Sequence, residues 1–261
     1  MSAATGFLQE IGRLTRERVE AARSRLSLAE LRARVADLPP PRGFEAALRA
    51  ATGLGVIAEF KRASPSRGPI ADLDPARQAQ AYARAGATCV SVLTEPTFFG
   101  ARPGDLETVR SACALPVLRK DFLLDPYQVL ETRLMGADAA LVIVRLVGER
   151  LGELVAAVRA QGLDALVEVH EPEELERAVA AGATMIGVNA RNLDTLATDV
   201  AVVTAMLPRI PPGVVRVAES GIRDAAAGAA LRRAGADAIL VGERLMRSDA
   251  GELIAVWRQS T

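Results

Sequence analysis

The chain has 261 residues, half of them hydrophobic, enough for one barrel-sized domain or two small ones. Its 32 Lys and Arg balance 32 Asp and Glu, so there is no electrostatic footprint for nucleic acid and no polybasic membrane patch. Aromatic residues make up 3%, too few for base-stacking platforms, whereas a small anionic ligand needs only a local positive site that net charge does not reveal.

From Phe7 to Leu38 the pattern is helical, with Ile11, Leu14, Val19, Ala22, Leu26 and Leu31 recurring at helical spacing. Ser27 with Glu30 forms a capping-box pattern for a second helix, which Pro39-Pro40-Pro41 stops. A third short helix spans about Gly43 to Ala50. Residues 1 to about 50 therefore read as a helical extension of the main domain. An amphipathic segment needs an apolar partner, so this extension is expected partly over the mouth of that domain, serving binding more than folding.

An internal repeat follows. Ala85-Gly86-Ala87-Thr88, Met135-Gly136-Ala137-Asp138, Ala181-Gly182-Ala183-Thr184 and Ala234-Gly235-Ala236-Asp237 each precede an apolar run. Each unit reads as a helix end, a glycine suited to a left-handed C-cap, and a buried strand. The strands so marked are Cys89 to Leu93, Ala139 to Val144, Met185 to Asn189 and Ala238 to Gly242. Val56 to Phe60, Pro116 to Leu118, Ala165 to Val169 and Val214 to Ala218 bring the number to eight. Helical patterns fill the spacers: Pro75 to Ala85, Pro126 to Met135, Gly148 to Gln161, Pro172 to Ala181 and Asp224 to Ala234. Strict alternation with continuous apolar strands predicts a parallel sheet covered by helices, and eight units predict a (β/α)8 TIM barrel with an N-terminal helical extension, one domain over 1–261. Gly53-Leu54-Gly55 loosely matches a dinucleotide fingerprint, but it precedes its strand instead of following one, which argues against an open doubly wound sheet.

Cys89 and Cys113 are the only cysteines and lie in or near apolar runs. They read as buried free thiols, in keeping with a cytoplasmic setting. With His170 the single histidine, there is no His-based zinc site. No apolar run approaches the roughly 20 residues of a membrane span, and Met1 to Glu10 lacks the pattern of a secretory signal.

In such a barrel the chemistry sits at the C-terminal strand ends. Those ends read Glu59-Phe60-Lys61, Thr94-Glu95, Lys120-Asp121, Arg145, Glu168, Asn189-Ala190-Arg191, Glu219-Ser220-Gly221 and Gly242-Glu243. Glu59 and Lys61 are two apart, so both can point the same way. Lys120 and Glu168 can face each other across the mouth as an acid/base pair. Beside Phe122 and other apolar groups the Lys120 pKa is expected to fall, although a nearby carboxylate would keep it protonated until substrate alters the balance. Ser220-Gly221 and Gly242-Glu243 lie where barrels of this kind bind phosphate through backbone N–H groups. His170 is expected on the opposite face from Glu168, with a packing or surface role. Arg145 has no assigned role.

The run Val56-Ile57-Ala58-Glu59-Phe60-Lys61-Arg62-Ala63-Ser64-Pro65-Ser66 resembles the signature of the indole-3-glycerol-phosphate synthase family of tryptophan biosynthesis. Leu118 to Phe122, Leu166 to Val169, Gly187 to Leu193 and Ala218 to Ile222 resemble the same family in its order, so the likeness spans essentially the whole chain. It implies a carbon–carbon lyase that closes the indole ring of 1-(2-carboxyphenylamino)-1-deoxyribulose 5-phosphate with loss of CO2 and water, without a cofactor. By that resemblance Lys120 is the general acid and Glu168 its paired base or cation stabiliser. Lys61, positioned by Glu59, contacts substrate anions and assists dehydration. Asn189 and Ser220 hydrogen-bond the reacting region. Arg191 takes the benzoate carboxylate, with Glu219 and Ser64 among the substrate contacts. Phe122, Leu141 and Phe98 suit the aryl ring, and Lys61 with Gly221, Gly242 and Glu243 suits the phosphate. The acidic Glu243 must turn its side chain away if its N–H faces phosphate. The expected partner is thus a small phosphorylated aryl-amino sugar, with no nucleic acid and no membrane; contact with other tryptophan-pathway enzymes is left open. The competing readings are another phosphate-binding barrel such as a phosphoribosylanthranilate isomerase, which would lack the two lysines, and a noncatalytic binder, which would not need a matched acid and base.

Overall fold

The computed structural model describes residues 6–246 and 250–259. Among them, eight parallel strands close a barrel: β1 (Gly55–Phe60), β2 (Cys89–Leu93), β3 (Val117–Lys120), β4 (Ala139–Ile143), β5 (Asp164–Val169), β6 (Met185–Asn189), β7 (Val215–Glu219) and β8 (Ala238–Val241). Each pairs with its neighbours in sequence, and β8 returns to β1 through Gly55↔Ala238 to Ala58↔Val241. The longer helices are α1 (Phe7–Arg25), α2 (Leu28–Ala36), α3 (Phe44–Arg49), α4 (Pro75–Ala85), α5 (Asp105–Ala112), α6 (Pro126–Leu134), α7 (Leu151–Ala160), α8 (Pro172–Ala180), α9 (Val200–Met206), α10 (Ala225–Arg233) and α11 (Ala250–Arg258). From α4 onward they alternate with the strands, as the repeat predicts.

Local chemistry sets these boundaries. Pro75, Pro126 and Pro172 open their helices, where a missing N–H costs nothing. Asp74, Asp125 and Asp224 accept hydrogen bonds from first-turn amides. The four repeat glycines, Gly86, Gly136, Gly182 and Gly235, all have φ between 73° and 100°, the left-handed turn that releases the chain into the next strand.

Side-chain parity divides the apolar residues between two cores. Val56, Ala58 and Phe60 of β1, like Val90 and Val92 of β2 and Val167 and Val169 of β5, pack outward against the helices. Ile57, Cys89, Leu118, Leu141, Leu166, Met185, Val217 and Leu240 fill the interior. Two residues beyond Ile57, Leu118, Leu141, Leu166 and Leu240, the same parity brings Glu59, Lys120, Ile143, Glu168 and Gly242 to the mouth. Both cysteines are free thiols; Cys89 is buried, whereas Cys113 is only partly so.

The N-terminal helices do two jobs. The Ser27–Glu30 capping box of α2 is present. Val19 of α1 and Leu31 and Val35 of α2 pack on Tyr127 and Leu130 of α6, and Phe7 and Ile11 join the interior core from the mouth side. Helix α3 lies at the other end. Phe44 and Leu48 are buried beneath the first residues of the strands, with Leu48 against Gly55 and Ala238 beside it. The expectation that the whole extension serves binding more than folding is corrected for α3: the barrel interior is apolar at its lower end and needs a cover there. Residues 1–5 of the extension lie outside the described residues.

Phe44→Ala removes a fully buried ring from this floor and should cost about 3–5 kcal/mol of stability, measured by urea unfolding. A loss below about 1 kcal/mol would show that α3 is not part of the barrel core.

Candidate active site

Parity brings Glu59, Lys61, Lys120, Glu168, Asn189 and Glu219 to one place. The first five line a cleft of about 520 Å³ at the C-terminal strand ends, and Glu219 lies behind them against Lys120. Lys120 Nζ stands 2.6 Å from Glu219 Oε2, 3.5 Å from Glu168 Oε2 and 4.0 Å from Glu59 Oε2. Lys61 Nζ lies 2.7 Å from Glu59 Oε1, so the first-strand pair points one way, as its spacing predicts. Two glycines make this crowding sterically allowed. A Cβ at Gly187 would run into the Glu219 carboxylate, and one at Gly242 into that of Glu59. Gly242 thus has a packing role as well as its place on the expected phosphate loop.

Burial works against the Lys120 ammonium, but Glu219, Glu168 and Glu59 outweigh it and raise its pKa above the ordinary lysine value. The expected fall is corrected: three carboxylates dominate over Phe122 and its apolar neighbours. Glu168 is pushed by burial toward the neutral acid, but Lys120 and His170 hold it down at about 2. Glu219 goes the other way. Its burial, with Glu168 and Glu59 nearby, outweighs Lys120 and lifts it to about 7, and its Oε1 is buried without a hydrogen-bond partner. The mouth therefore holds a firm cation at Lys120, a firm anion at Glu168, and a carboxyl group at Glu219 that exchanges its proton near neutrality.

Aromatic and polar groups complete the wall. Phe122, Phe99 and Phe7 line the cleft with Leu141. Phe7 meets Phe122 edge-on at 6.0 Å, and Phe99 lies 6.1 Å from it. Phe98 is not on this wall. It packs behind, edge-on to Phe7 at 5.1 Å, because the one-turn helix Pro96–Phe99 directs the following ring inward instead. Glu95, buried, caps that turn by accepting from the amides of Thr97, Phe98 and Phe99. Phe7 was not legible as a site residue, since nothing in its local sequence shows that α1 reaches the mouth.

Ser220 (φ 68°) and Gly221 (φ 75°) form consecutive left-handed residues on the cleft wall. Ser220 is one of two non-glycine residues in that region among those described, a strained conformation of the kind found at functional sites. Gly242, Glu243 and Arg244 line the same side, and Arg67 Nε stands 3.3 Å from Glu243 Oε1, drawing that acidic side chain aside. Ser64 also lines the cleft. Arg191 donates from Nη1 to Ser66 Oγ at 2.9 Å and to the Leu196 carbonyl at 3.2 Å, while its amide donates to Asn189 Oδ1.

Two polar residues are explained only by the structure. His170 does not face away from Glu168. Residues two apart on a strand share a face, and His170 Nε2 lies 3.3 Å from Glu168 Oε1. Arg145 is held by Glu171, Glu174 and Asp194, outside the cleft. Asp121, next to Lys120, faces the helices and anchors α1: it accepts from Arg18 Nη2 at 2.8 Å, Arg119 Nη2 at 3.0 Å and Thr94 Oγ1 at 2.7 Å. Burial opposes its charge, but Arg119 and Arg18 hold its pKa well below the usual carboxylate range. Among the described residues, no group of three or more His, Cys, Asp or Glu is placed to hold a metal ion, and no helix is long and apolar enough to cross a membrane.

The Glu219 assignment has a stability signature. Its folded pKa of about 7 exceeds the ordinary unfolded value of about 4.3, so the native state binds the extra proton between them. Its contribution is full below about pH 4.3 and is lost as pH rises through about 7. Unfolding free energies of wild type and Glu219→Gln, compared from about pH 5 to about pH 9, should diverge over that window, with the variant lacking the decline. Parallel curves would contradict the assignment.

The comparisons agree with this geometry. The family model for indole-3-glycerol phosphate synthase matches residues 8–255. Relatives of that name include one from Mycolicibacterium smegmatis, 49% identical over 95% of this chain and 91% of its own length. Another, from Micrococcus luteus, is 48% identical over 94% of each. Among solved structures, a thiamine phosphate pyrophosphorylase from Pyrococcus furiosus superposes with a TM-score of 0.59 at 16% identity, covering 82% of this chain and 96% of that one, a likeness of fold alone. A family match across nearly the whole length, joined to a barrel mouth that gathers two lysines and three glutamates, places this chain in the indole-3-glycerol phosphate synthase family.

Proposed function

We propose that this chain is an indole-3-glycerol phosphate synthase acting as a carboxy-lyase. It would convert 1-(2-carboxyphenylamino)-1-deoxyribulose 5-phosphate to indole-3-glycerol phosphate, CO2 and water. The observation that carries the reading is the Lys120 ammonium, held among Glu219, Glu168 and Glu59 beside the Phe122 ring. An ammonium kept protonated at neutral pH is suited to donate a proton, not to accept one.

The steps follow from that charge pattern. The aryl carbon bearing the carboxylate attacks the ribulose carbonyl carbon, forming the ring bond. Lys120 donates a proton to the carbonyl oxygen as its negative charge develops. The carboxylate then departs as CO2, leaving its electron pair to restore the aromatic ring. Glu168, ionised and facing Lys120, stabilises the cationic intermediate, and in the dehydration that follows it accepts the proton lost from the methylene carbon beside the ring nitrogen. Lys61, paired with Glu59, helps the hydroxyl leave as water. Arg191 is assigned to the benzoate carboxylate, Asn189 and Ser220 to the reacting region, and Lys61 with the backbone of Gly221, Gly242 and Glu243 to the phosphate. Phe122 and Leu141 flank the aryl ring, with Phe99 and Phe7 in the place first given to Phe98.

Lys120→Met keeps the stem and removes both donor and charge. General acid catalysis contributes about 10²–10⁴-fold, so kcat should fall by at least about 10³-fold while product Kd changes far less. Retention of more than about a tenth of wild-type kcat in a folded variant would remove Lys120 from the acid role and make Lys61 the next candidate. Lys120→Arg should rescue only in part, because the larger planar guanidinium cannot place a donor where the compact ammonium stands.

Arg191→Ala should act chiefly on binding. Loss of a charge-assisted contact to a carboxylate costs roughly 2–4 kcal/mol in a dry site, read as a raised KM. A normal KM with lowered kcat would show that the carboxylate is held elsewhere.

A further inference from the structure

His170 sits in the mouth wall with a carboxylate at each ring nitrogen. Nε2 lies 3.3 Å from Glu168 Oε1, and Nδ1 lies 3.2 Å from Glu174 Oε2. All three side chains are buried. A neutral imidazole carries one N–H and would leave a lone-pair nitrogen close to one of these carboxylates; only the doubly protonated ring suits both. We propose that His170 is a positioning residue for Glu168: an imidazolium clamped between Glu168 and Glu174 that fixes the Glu168 carboxylate against Lys120.

The clamp is built from outside inward. Glu174, in the first turn of α8, accepts from the His170 amide at 2.7 Å and from Arg145 Nε at 2.8 Å. Arg145, in the turn after β4, is itself tied to Glu171 and Asp194. On the cleft side, Glu168 Oε2 faces Lys120 of β3 at 3.5 Å, and Asn189 of β6 lines the same wall. Glu168 is thus held between two cations, one on each oxygen. The charged groups facing the ring are then Glu168 on its own strand and Glu174 from α8, with Lys120 and Arg145 behind them. Burial disfavours the charged ring, but Glu168 and Glu174 outweigh it and raise its pKa to about 9, so the imidazolium is present at neutral pH. The Nε2 contact is not aligned as a hydrogen bond, so the hold on Glu168 is mainly electrostatic.

The inference rests on Glu168 being the carboxylate partner of Lys120, and the test separates the two. Steady-state kinetics with the ribulose anilide would be run from about pH 6 to about pH 10 on wild type, His170→Gln, Glu174→Gln and Glu168→Gln. Wild-type kcat should fall as pH rises through about 9, where the ring loses its proton. His170→Gln should lower kcat about tenfold with KM little changed, and should lack that basic limb. Glu174→Gln removes a group that keeps the proton on, so its basic limb should move toward neutral pH. A folded His170→Gln with the wild-type kcat and profile would overturn the inference, as would a change confined to KM. Should His170→Gln not fold, an unshifted limb in Glu174→Gln overturns it equally. If Glu168→Gln keeps wild-type kcat, the parent reading fails instead.

Discussion

Lys120 carries a charge into a mouth where its side chain is 14% exposed, and three carboxylates within 4.0 Å hold it there. Burying an ion is costly unless it is paired, and here the pairing overshoots: Glu59, Glu168 and Glu219 outnumber Lys61 and Lys120. The excess is what gives the site graded acidity. One carboxylate, Glu168, is ionised firmly, and another, Glu219, holds its proton near neutrality. Much of the surrounding sequence follows from fitting these groups together. Gly187 and Gly242 leave space for Glu219 and Glu59, and Ser220 and Gly221 turn left-handed beside them.

The barrel supplies the rigidity this crowding requires. Its interior is apolar up to the last inward-facing layer, closed below by Phe44 and Leu48 and flanked above by Phe7 and Ile11. The upper helix is fastened by charge. Arg18 reaches Asp121, the residue after Lys120, and Arg119 meets the same carboxylate from the strand. The order of α1 is thereby coupled to the end of the strand that presents Lys120.

Much of this was legible in the sequence because parity and repetition are local signals. The four Ala-Gly-Ala or Gly-Ala junctions placed four strands, and the apolar runs between them placed the rest to within a residue or two at most ends. Glu59, Lys61, Lys120, Glu168, Asn189 and Glu219 were legible because each stands at or near the end of an apolar strand, and their roles came from the family resemblance. What was missed depends on the third dimension. Phe7 and Phe99 reach the cleft through helix placement, not strand order. The Lys120 pKa departs from the sequence expectation because its dominant neighbours come from three other strands. Arg145 needed α8 and the loop bearing Asp194 before its partners appeared. His170 stands two residues beyond Glu168, a spacing that puts both on one face of the strand.

The central claim is that this mouth forms a carbon–carbon bond and releases CO2 from the same substrate carbon. It is tested most directly by incubating the purified chain with 1-(2-carboxyphenylamino)-1-deoxyribulose 5-phosphate while following indole fluorescence and CO2 release together. The account predicts that both rise in step, with one CO2 for each indole formed. Substrate binding with no indole, or isomerisation without CO2, would contradict it.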